Sequence, residues 1–341
     1  MVCHPFHKTA CKTSGFVRQN ATECAFATSD SWVILTPIEQ SIKRKIEAVG
    51  TPLKDWDIKI NRGILTGCNE AFIIDEEKRQ ELIAQDPRSA EIIRPILRGR
   101  DIKRYGYNYA GLYLIATFPA RHYDIEQYPA VKHYLLSFDK ERLLEAGIDD
   151  IANNAALLTD FCRQRLEQSG KDIIINGHKV IIDGKAQKAR KKTGNKWFET
   201  QDQIGYWEDF SKPKIVWGEI SDRTKFALDN DGEFVPEATT FLMTGEHLDY
   251  LLCFLNSALS EYLFSKIGTT TGVGTVRWKK FKIESIIVPK WSKTIESALY
   301  AITNSIETQH LIANRDRIDK LIFDICNLTS TERQFVLKRF F

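Results

Sequence analysis

The chain has 341 residues, 43% of them hydrophobic and 27% charged, with a formal net charge of +3. That composition is ordinary for a soluble globular protein and supplies the core of one large domain or two modest ones. With charges so nearly balanced, any affinity for nucleic acid must rest on local clusters rather than on the overall field. No uncharged apolar run reaches the roughly 18 residues that a membrane span needs, and the stretch from Met1 to Gly15 lacks a signal peptide's apolar core. Seven scattered cysteines, an odd number, suit reduced thiols and a cytoplasmic protein.

Residues 1–30 are polar and aperiodic, and read as a linker or the remnant of a connection to an upstream domain. They hold Cys3, His4, His7, Cys11 and Cys24, but zinc ligands come as close pairs and Cys3 to Cys11 is too wide for one. No metal is therefore expected. Trp32 to Leu35 is a short apolar strand. Pro37 then stands in the first turn of a helix running from Ile38 to Val49, with Ile38, Ile42 and Ile46 on one face. Gly50-Thr51-Pro52 ends it.

Alternation from Trp56 to Ile60 leads into Asn61-Arg62-Gly63-Ile64-Leu65-Thr66-Gly67-Cys68-Asn69, a tight loop feeding an expected strand from Ala71 to Ile74. Glycine suits positive φ, and Thr or Asn side chains bond the turn they sit in, so Gly63, Thr66, Gly67 and Asn69 read as structural. Glu76 to Gln85 is a helix stopped by Asp86-Pro87. From Arg94 to Arg104, five basic residues face the single acid Asp101.

Leu112 to Thr117 is a buried-strand candidate. Helical stretches follow from Tyr128-Pro129 to Arg142 and from Asn153 to Gln168. Asp172 to Ile175 and Lys179 to Ile182, joined through Asn176-Gly177, make a hairpin. Lys185 to Lys196 is the most basic window, with Lys185, Lys188, Arg190, Lys191, Lys192 and Lys196 and no acid; it reads as a mobile loop or arm. Trp197, Tyr206, Trp207, Phe210 and Trp217 follow. Such aromatics beside a basic arm can stack on bases, although irregularly spaced aromatics are more often core.

Further strands are expected at Lys214 to Ile220 and Thr239 to Met243, with a hairpin from Phe226 to Val235. Glu246 to Lys266 reads as one long helix whose leucine stripe is core packing. Gly268 to Trp278 is a loop of threonines and glycines, and Ile283 to Pro289 a closing strand. Helical segments fill the tail from Lys293, with Asn314 to Asp316 as the turn of a helical hairpin and Thr329 to Glu332 as a capping box.

The order Arg-Gly-Ile-x-Thr-Gly-x-Asn-Glu-Ala-Phe-Ile-Ile-Asp from Arg62, then Ile-Ile-Arg-Pro-x-Leu-Arg-Gly-Arg-Asp-Ile-x-Arg-Tyr from Ile92, resembles the TaqI-like specificity domain. That domain is the target-recognition part of type IIG restriction-modification enzymes and adenine-specific DNA methyltransferases. Later blocks fit the same order: Lys-Pro-Lys-Ile-Val-Trp-x-Glu-Ile at 212–220, Leu-Asn-Ser at 255–257, and Ile-x-x-Ile-x-Val-Pro ending at Pro289. The stretch 317–332 resembles the ending of specificity subunits. The resemblance implies an α+β mixed-sheet recognition domain over residues 31–290, followed by a helical segment over 291–341. It also implies double-stranded DNA as partner, and a methyltransferase domain or subunit, on the upstream side, that uses S-adenosylmethionine, with or without an endonuclease domain or subunit.

The chain itself lacks methyl-transfer chemistry. No Pro-Pro dipeptide occurs, Asp86-Pro87 runs into Arg88-Ser89 without an aromatic, and Gly272-Val273-Gly274 follows threonines rather than a strand. No cofactor is expected in it. A Mg²⁺-dependent nuclease built on Asp172, Asp183 and Lys185 is the alternative of a different class, although hairpin-mouth chemistry already explains the two acids. An RNA-binding protein is a third reading. The expected DNA-contacting residues are Lys188, Arg190, Lys191, Lys192, Arg223, Thr270, Thr271 and Arg277, with Arg98 and Arg100 added from the second family block.

Overall fold

The computed structural model of the chain describes residues 35–137, 173–176, 179–182, 185–187, 194–267, 269–270, 276–303 and 307–338. The expected strand at Trp32 to Leu35 and helix at Asn153 to Gln168 fall largely or wholly outside them. The described chain is α+β, and it divides into two compact units. One comprises Met1–Trp56, Cys253–Gly268 and Phe281–Phe341, and the other Asp57–Leu252 and Thr269–Lys280.

The larger unit is built on two four-stranded sheets. The first is antiparallel throughout, in the order Phe226–Asp229, Lys214–Gly218, Thr240–Gly245, Ile58–Arg62. The second runs Val235–Pro236, Ile93–Leu97, Leu112–Ile115, Ile73–Asp75, and is mixed because Val235–Pro236 pairs parallel to Ile96-Leu97. Side chains alternate along a strand, so Val216, Ala227 and Leu242 fall on one face of the first sheet. They join one apolar cluster with Ile93, Ile96, Leu114 and Ile115 of the second. Trp217, Phe226 and Phe241 fall on the opposite face, where Trp217 stacks on Phe241 at 5.6 Å and Phe226 meets Trp278 edge-on. The central strand Lys214–Gly218 is buried along its whole length.

Several local expectations give way to tertiary constraints. Ala71 and Phe72 are not strand but the end of a helical turn, Asn69–Phe72; their amides donate to the Cys68 carbonyl, and the strand begins at Ile73. The segments Phe226–Asp229 and Val235–Pro236 are no hairpin. Buried Asp229 accepts hydrogen bonds from the Glu233 and Phe234 amides, and the chain turns away to the second sheet. The long helix breaks into Leu248–Leu255 and Ala258–Ile267. Asn256-Ser257 interrupts it, and Ser257 Oγ and Asp319 Oδ1 accept from the Ser260 and Ala258 amides, so the second helix has its own start. The expected closing strand from Ile283 to Pro289 is strand only over Ile287–Pro289, because Ile283 and Glu284 end a short helix, Lys280–Glu284. The arm expected from Lys185 to Lys196 opens as a strand, because Lys185–Gln187 pairs with Lys179–Ile182 and adds a third strand to the hairpin.

In the smaller unit the helix Pro37–Val49 buries Ile42 and Ile46 and starts at a Thr36–Glu39 capping box. The strand after it, Gly50–Pro52, pairs antiparallel with Ile287–Pro289. The tail forms helices Lys293–Thr303, Thr308–Ala313, Arg315–Ile325 and Ser330–Leu337. Leu299, Ile318 and Ile322 of these helices are buried, and Glu332 reaches Lys45 at 2.6 Å and Ser41 at 2.7 Å. This segment packs within the chain. No described helix is long and apolar enough to cross a membrane.

Candidate functional site

A turn and a ladder frame a groove on the larger unit. The turn is Gly99–Asp101. Arg98 closes it as a fork, Nε to Asp101 Oδ2 at 2.9 Å and Nη2 to Oδ1 at 2.8 Å, while its amide donates to Oδ2 as well. Burial alone would push the Asp101 carboxyl up; the Arg98 hydrogen bonds and charge prevail and hold it below the usual carboxylate range. Arg98 is thus committed to the turn, and Arg100, next but one, is exposed. Arg104 ties the same segment to the loop before Phe226 through Thr224 Oγ1 at 2.7 Å.

The ladder is the three-stranded sheet Ile220–Ser221, Val276–Arg277, Thr269–Thr270. It makes strands of both ends of the stretch expected to be a Thr-Gly loop. Its base is aromatic: Trp217 Nε1 donates to the Trp278 carbonyl at 2.9 Å, and the Trp278 amide donates to the Glu219 carbonyl at 2.7 Å. The register sets Ile220 and Thr269 opposite Arg277, and Thr270 opposite Val276. Arg277 and Thr270 are therefore on neighbouring rungs rather than one.

Turn and ladder meet at a pair of glycines. A Cβ on Gly218 would lie 3.3 Å from the Gly99 Cα, so the two backbones approach closely and a side chain at Gly218 would crowd the turn. Above them lies a groove of about 350 Å³. Arg100, Lys103, Lys225 and Arg277 line it, with Thr239 and Ser221 as neutral polar groups. Ile220, 54% exposed, is its apolar wall. Its acid is Glu219, which stands between two arginines, Arg277 Nη1 at 3.3 Å from one oxygen and Arg62 Nη2 at 3.8 Å from the other. Lys225 is also paired, to Asp222 at 2.6 Å.

Of the residues singled out from sequence, the groove brings together Arg100 and Arg277. Arg223 is exposed in the loop that carries Lys225. Lys188, Arg190, Lys191, Lys192 and Thr271 lie outside the described residues, as do Asp172 and Asp183 of the nuclease alternative and Cys3, His4, His7, Cys11 and Cys24. Among the described residues no group of three or more His, Cys, Asp or Glu could hold a metal ion. Sequence reasoning missed Glu219, Ile220, Lys103 and Lys225. Glu-Ile after Trp217-Gly218 reads as more strand, and only the ladder shows that Ile220 is exposed.

Residues 94–288, more than half of the chain, match the TaqI-like C-terminal specificity domain. The type II methyltransferase M.PaeR7I of Pseudomonas aeruginosa is 21% identical over 289 residues, which cover 84% of this chain and 41% of that protein. The chain thus spans well under half the length of the relative it matches. Among solved structures, the type IIL restriction-modification enzyme MmeI in complex with DNA aligns over 84% of this chain and 36% of its own, at 12% identity and a TM-score of 0.49. The type IIG restriction endonuclease BpuSI aligns over 87% and 33%, at 10% identity and a TM-score of 0.42. The chain belongs to the TaqI-like C-terminal specificity domain family.

Proposed function

We propose that this chain recognises duplex DNA by sequence, as the specificity portion of a restriction-modification system, and carries no methyl-transfer chemistry of its own. The observation that carries this reading is the groove: four cationic side chains around one exposed isoleucine, inside the segment that matches the specificity domain. Cations position a protein on phosphates, and apolar and forked donor groups read base edges. Arg100, Arg223 and Arg277 would act at or near this groove, with Arg98 holding the turn that presents Arg100. Thr270 belongs to the adjoining strand Thr269–Thr270, and Thr271, Lys188, Arg190, Lys191 and Lys192 are proposed as DNA contacts from the sequence alone. The family and the methyltransferase relative support a catalytic partner, as a further domain or a subunit, that supplies S-adenosylmethionine chemistry.

The reading is tested by titrating the purified chain with a random-sequence duplex pool at several salt concentrations, then sequencing the bound fraction. Enrichment of a defined motif is expected, with no methyl transfer from radiolabelled S-adenosylmethionine. Binding without motif enrichment would leave a non-specific nucleic-acid binder, and preference for RNA over duplex DNA would favour the RNA-binding reading. Mg²⁺-dependent cleavage abolished by Asp183→Ala would favour the nuclease.

A further inference from the structure

We infer that Glu219, Arg277 and Ile220 form one base-reading unit, in which Arg277 reads a guanine, Ile220 a neighbouring thymine methyl, and Glu219 positions Arg277. The inference rests on the DNA-recognition reading above and deepens it.

Glu219 is the anomaly. A groove that takes a polyanion gains nothing from a carboxylate on its wall, since a like charge repels phosphate. The acid is 18% exposed, and each of its oxygens faces a different arginine. Neither contact is a closed fork of the kind Arg98 makes with Asp101 at 2.8 and 2.9 Å. At 3.3 Å through one Nη only, Arg277 is oriented but keeps its remaining donors available. A guanidinium held on one side and open on the other is the geometry that meets guanine O6 and N7 together. The carboxylate also keeps phosphates off the groove wall, so base edges are favoured there.

Ile220 supplies the second contact. It is directly opposite Arg277 in the ladder, and side chains so placed share one face of the sheet with Cβ atoms about 5 Å apart. Stacked base pairs rise about 3.4 Å, so the two side chains reach the same or adjacent pairs. An isoleucine left 54% exposed among cations has a natural partner in the apolar methyl that thymine shows in the major groove. The Trp217–Trp278 hydrogen bond ties the ladder to the first sheet from beneath, next to the strand that carries Arg277.

The test uses the full chain and four proteins: unmodified, Glu219→Gln, Arg277→Ala and Ile220→Ala, each checked for folding by circular dichroism. The unmodified chain should enrich a motif containing guanine beside thymine. Arg277→Ala should lose the guanine preference, roughly 10-fold or more in relative affinity. Ile220→Ala should lose the thymine preference, and deoxyuridine at that position should reproduce the loss with the unmodified chain. Glu219→Gln should move in two opposite directions, binding scrambled duplex more tightly while discriminating guanine less well. A motif unchanged by Arg277→Ala and Ile220→Ala, or Glu219→Gln with guanine discrimination intact, overturns the inference and leaves DNA recognition standing. An unmodified chain that enriches no motif overturns the DNA-recognition reading, and this inference with it.

Discussion

Lys214 and Asp229 are directly opposite each other in the first sheet, and Lys214 Nζ lies 2.5 Å from Asp229 Oδ2 with both side chains wholly removed from solvent. The lysine also donates to the Phe210 carbonyl at 2.7 Å, and the carboxylate accepts two loop amides. Burial pushes the Lys214 ammonium down, with Asp229 opposing it. The pair therefore fixes where the strand Phe226–Asp229 ends and the chain leaves for the second sheet. Lys214→Met should destabilise the chain by roughly 3–5 kcal/mol, because it leaves a buried carboxylate unpaired. Adding Asp229→Asn should recover some of that loss in urea unfolding. Equal midpoints for Lys214→Met and the unmodified chain would remove the pair from this role.

Two glycines of the Gly63–Gly67 loop act for different reasons. A Cβ on Gly63 would sit 2.1 Å from the Glu237 carbonyl oxygen, inside the bridge that joins Ile64 to Glu237. Gly67 instead has φ 79°. Gly63→Ala must force the two backbone segments apart and should cost roughly 2–4 kcal/mol. Gly67→Ala carries the left-handed penalty, about 1–2 kcal/mol. Thermal melts of the two variants rank them, and the reverse order would contradict the close approach.

Arg98 and Arg100 are two residues apart and should separate cleanly. Arg98→Ala strands the buried Asp101 and should lower stability by roughly 2 kcal/mol. Arg100→Ala should leave stability within about 0.5 kcal/mol, since its exposed side chain carries no fold contact of that kind. Its effect belongs in duplex binding. Paired denaturation and binding titrations distinguish the two.

Glu332 links the helix Ser330–Leu337 to the helix Pro37–Val49. Burial would raise its carboxyl, but Lys45, Ser41 and Thr329 together bring it down to about 2. A carboxyl lowered in the fold stabilises above its unfolded value and loses that contribution as pH falls through the folded one. The contribution, on the order of 3 kcal/mol at neutral pH, should fade between roughly pH 5 and pH 2. Glu332→Gln should remove it at pH 7 and flatten the acid limb of the stability curve. Denaturant midpoints at pH 7, 4 and 2.5 measure both.

The basic arm should show itself in salt dependence. If about four of its cations meet phosphates, replacing Lys188, Arg190, Lys191 and Lys192 by Ala should reduce the slope of log K against log salt by about 3.6. Affinity should fall alike on enriched and scrambled duplexes. An unchanged slope would return the arm to a solvated connection.

Periodicity and capping chemistry are local, and where they alone decide, the sequence was sufficient. The helix Glu76–Gln85 ends at Asp86-Pro87 because proline forbids its continuation, and Thr329 caps the last helix through Glu332 as their spacing foretells. The family was legible from blocks of residues in a fixed order, and the second of them, with the Arg98 to Asp101 turn, lies inside the matched segment. The groove was not. Ile220 meets Arg277 across fifty-six intervening residues, and Gly99 meets Gly218 across a still longer span. Which side chain faces solvent there depends on a register one residue wide, and a slip of one would carry Ile220 and Arg277 to the other face. Strand partners are chosen by the whole core, as when Val235–Pro236 leaves Phe226–Asp229 to pair parallel with Ile96-Leu97. Only the tertiary structure sets that choice, because the free energy that decides it is buried area summed over both sheets, which no short window of sequence contains.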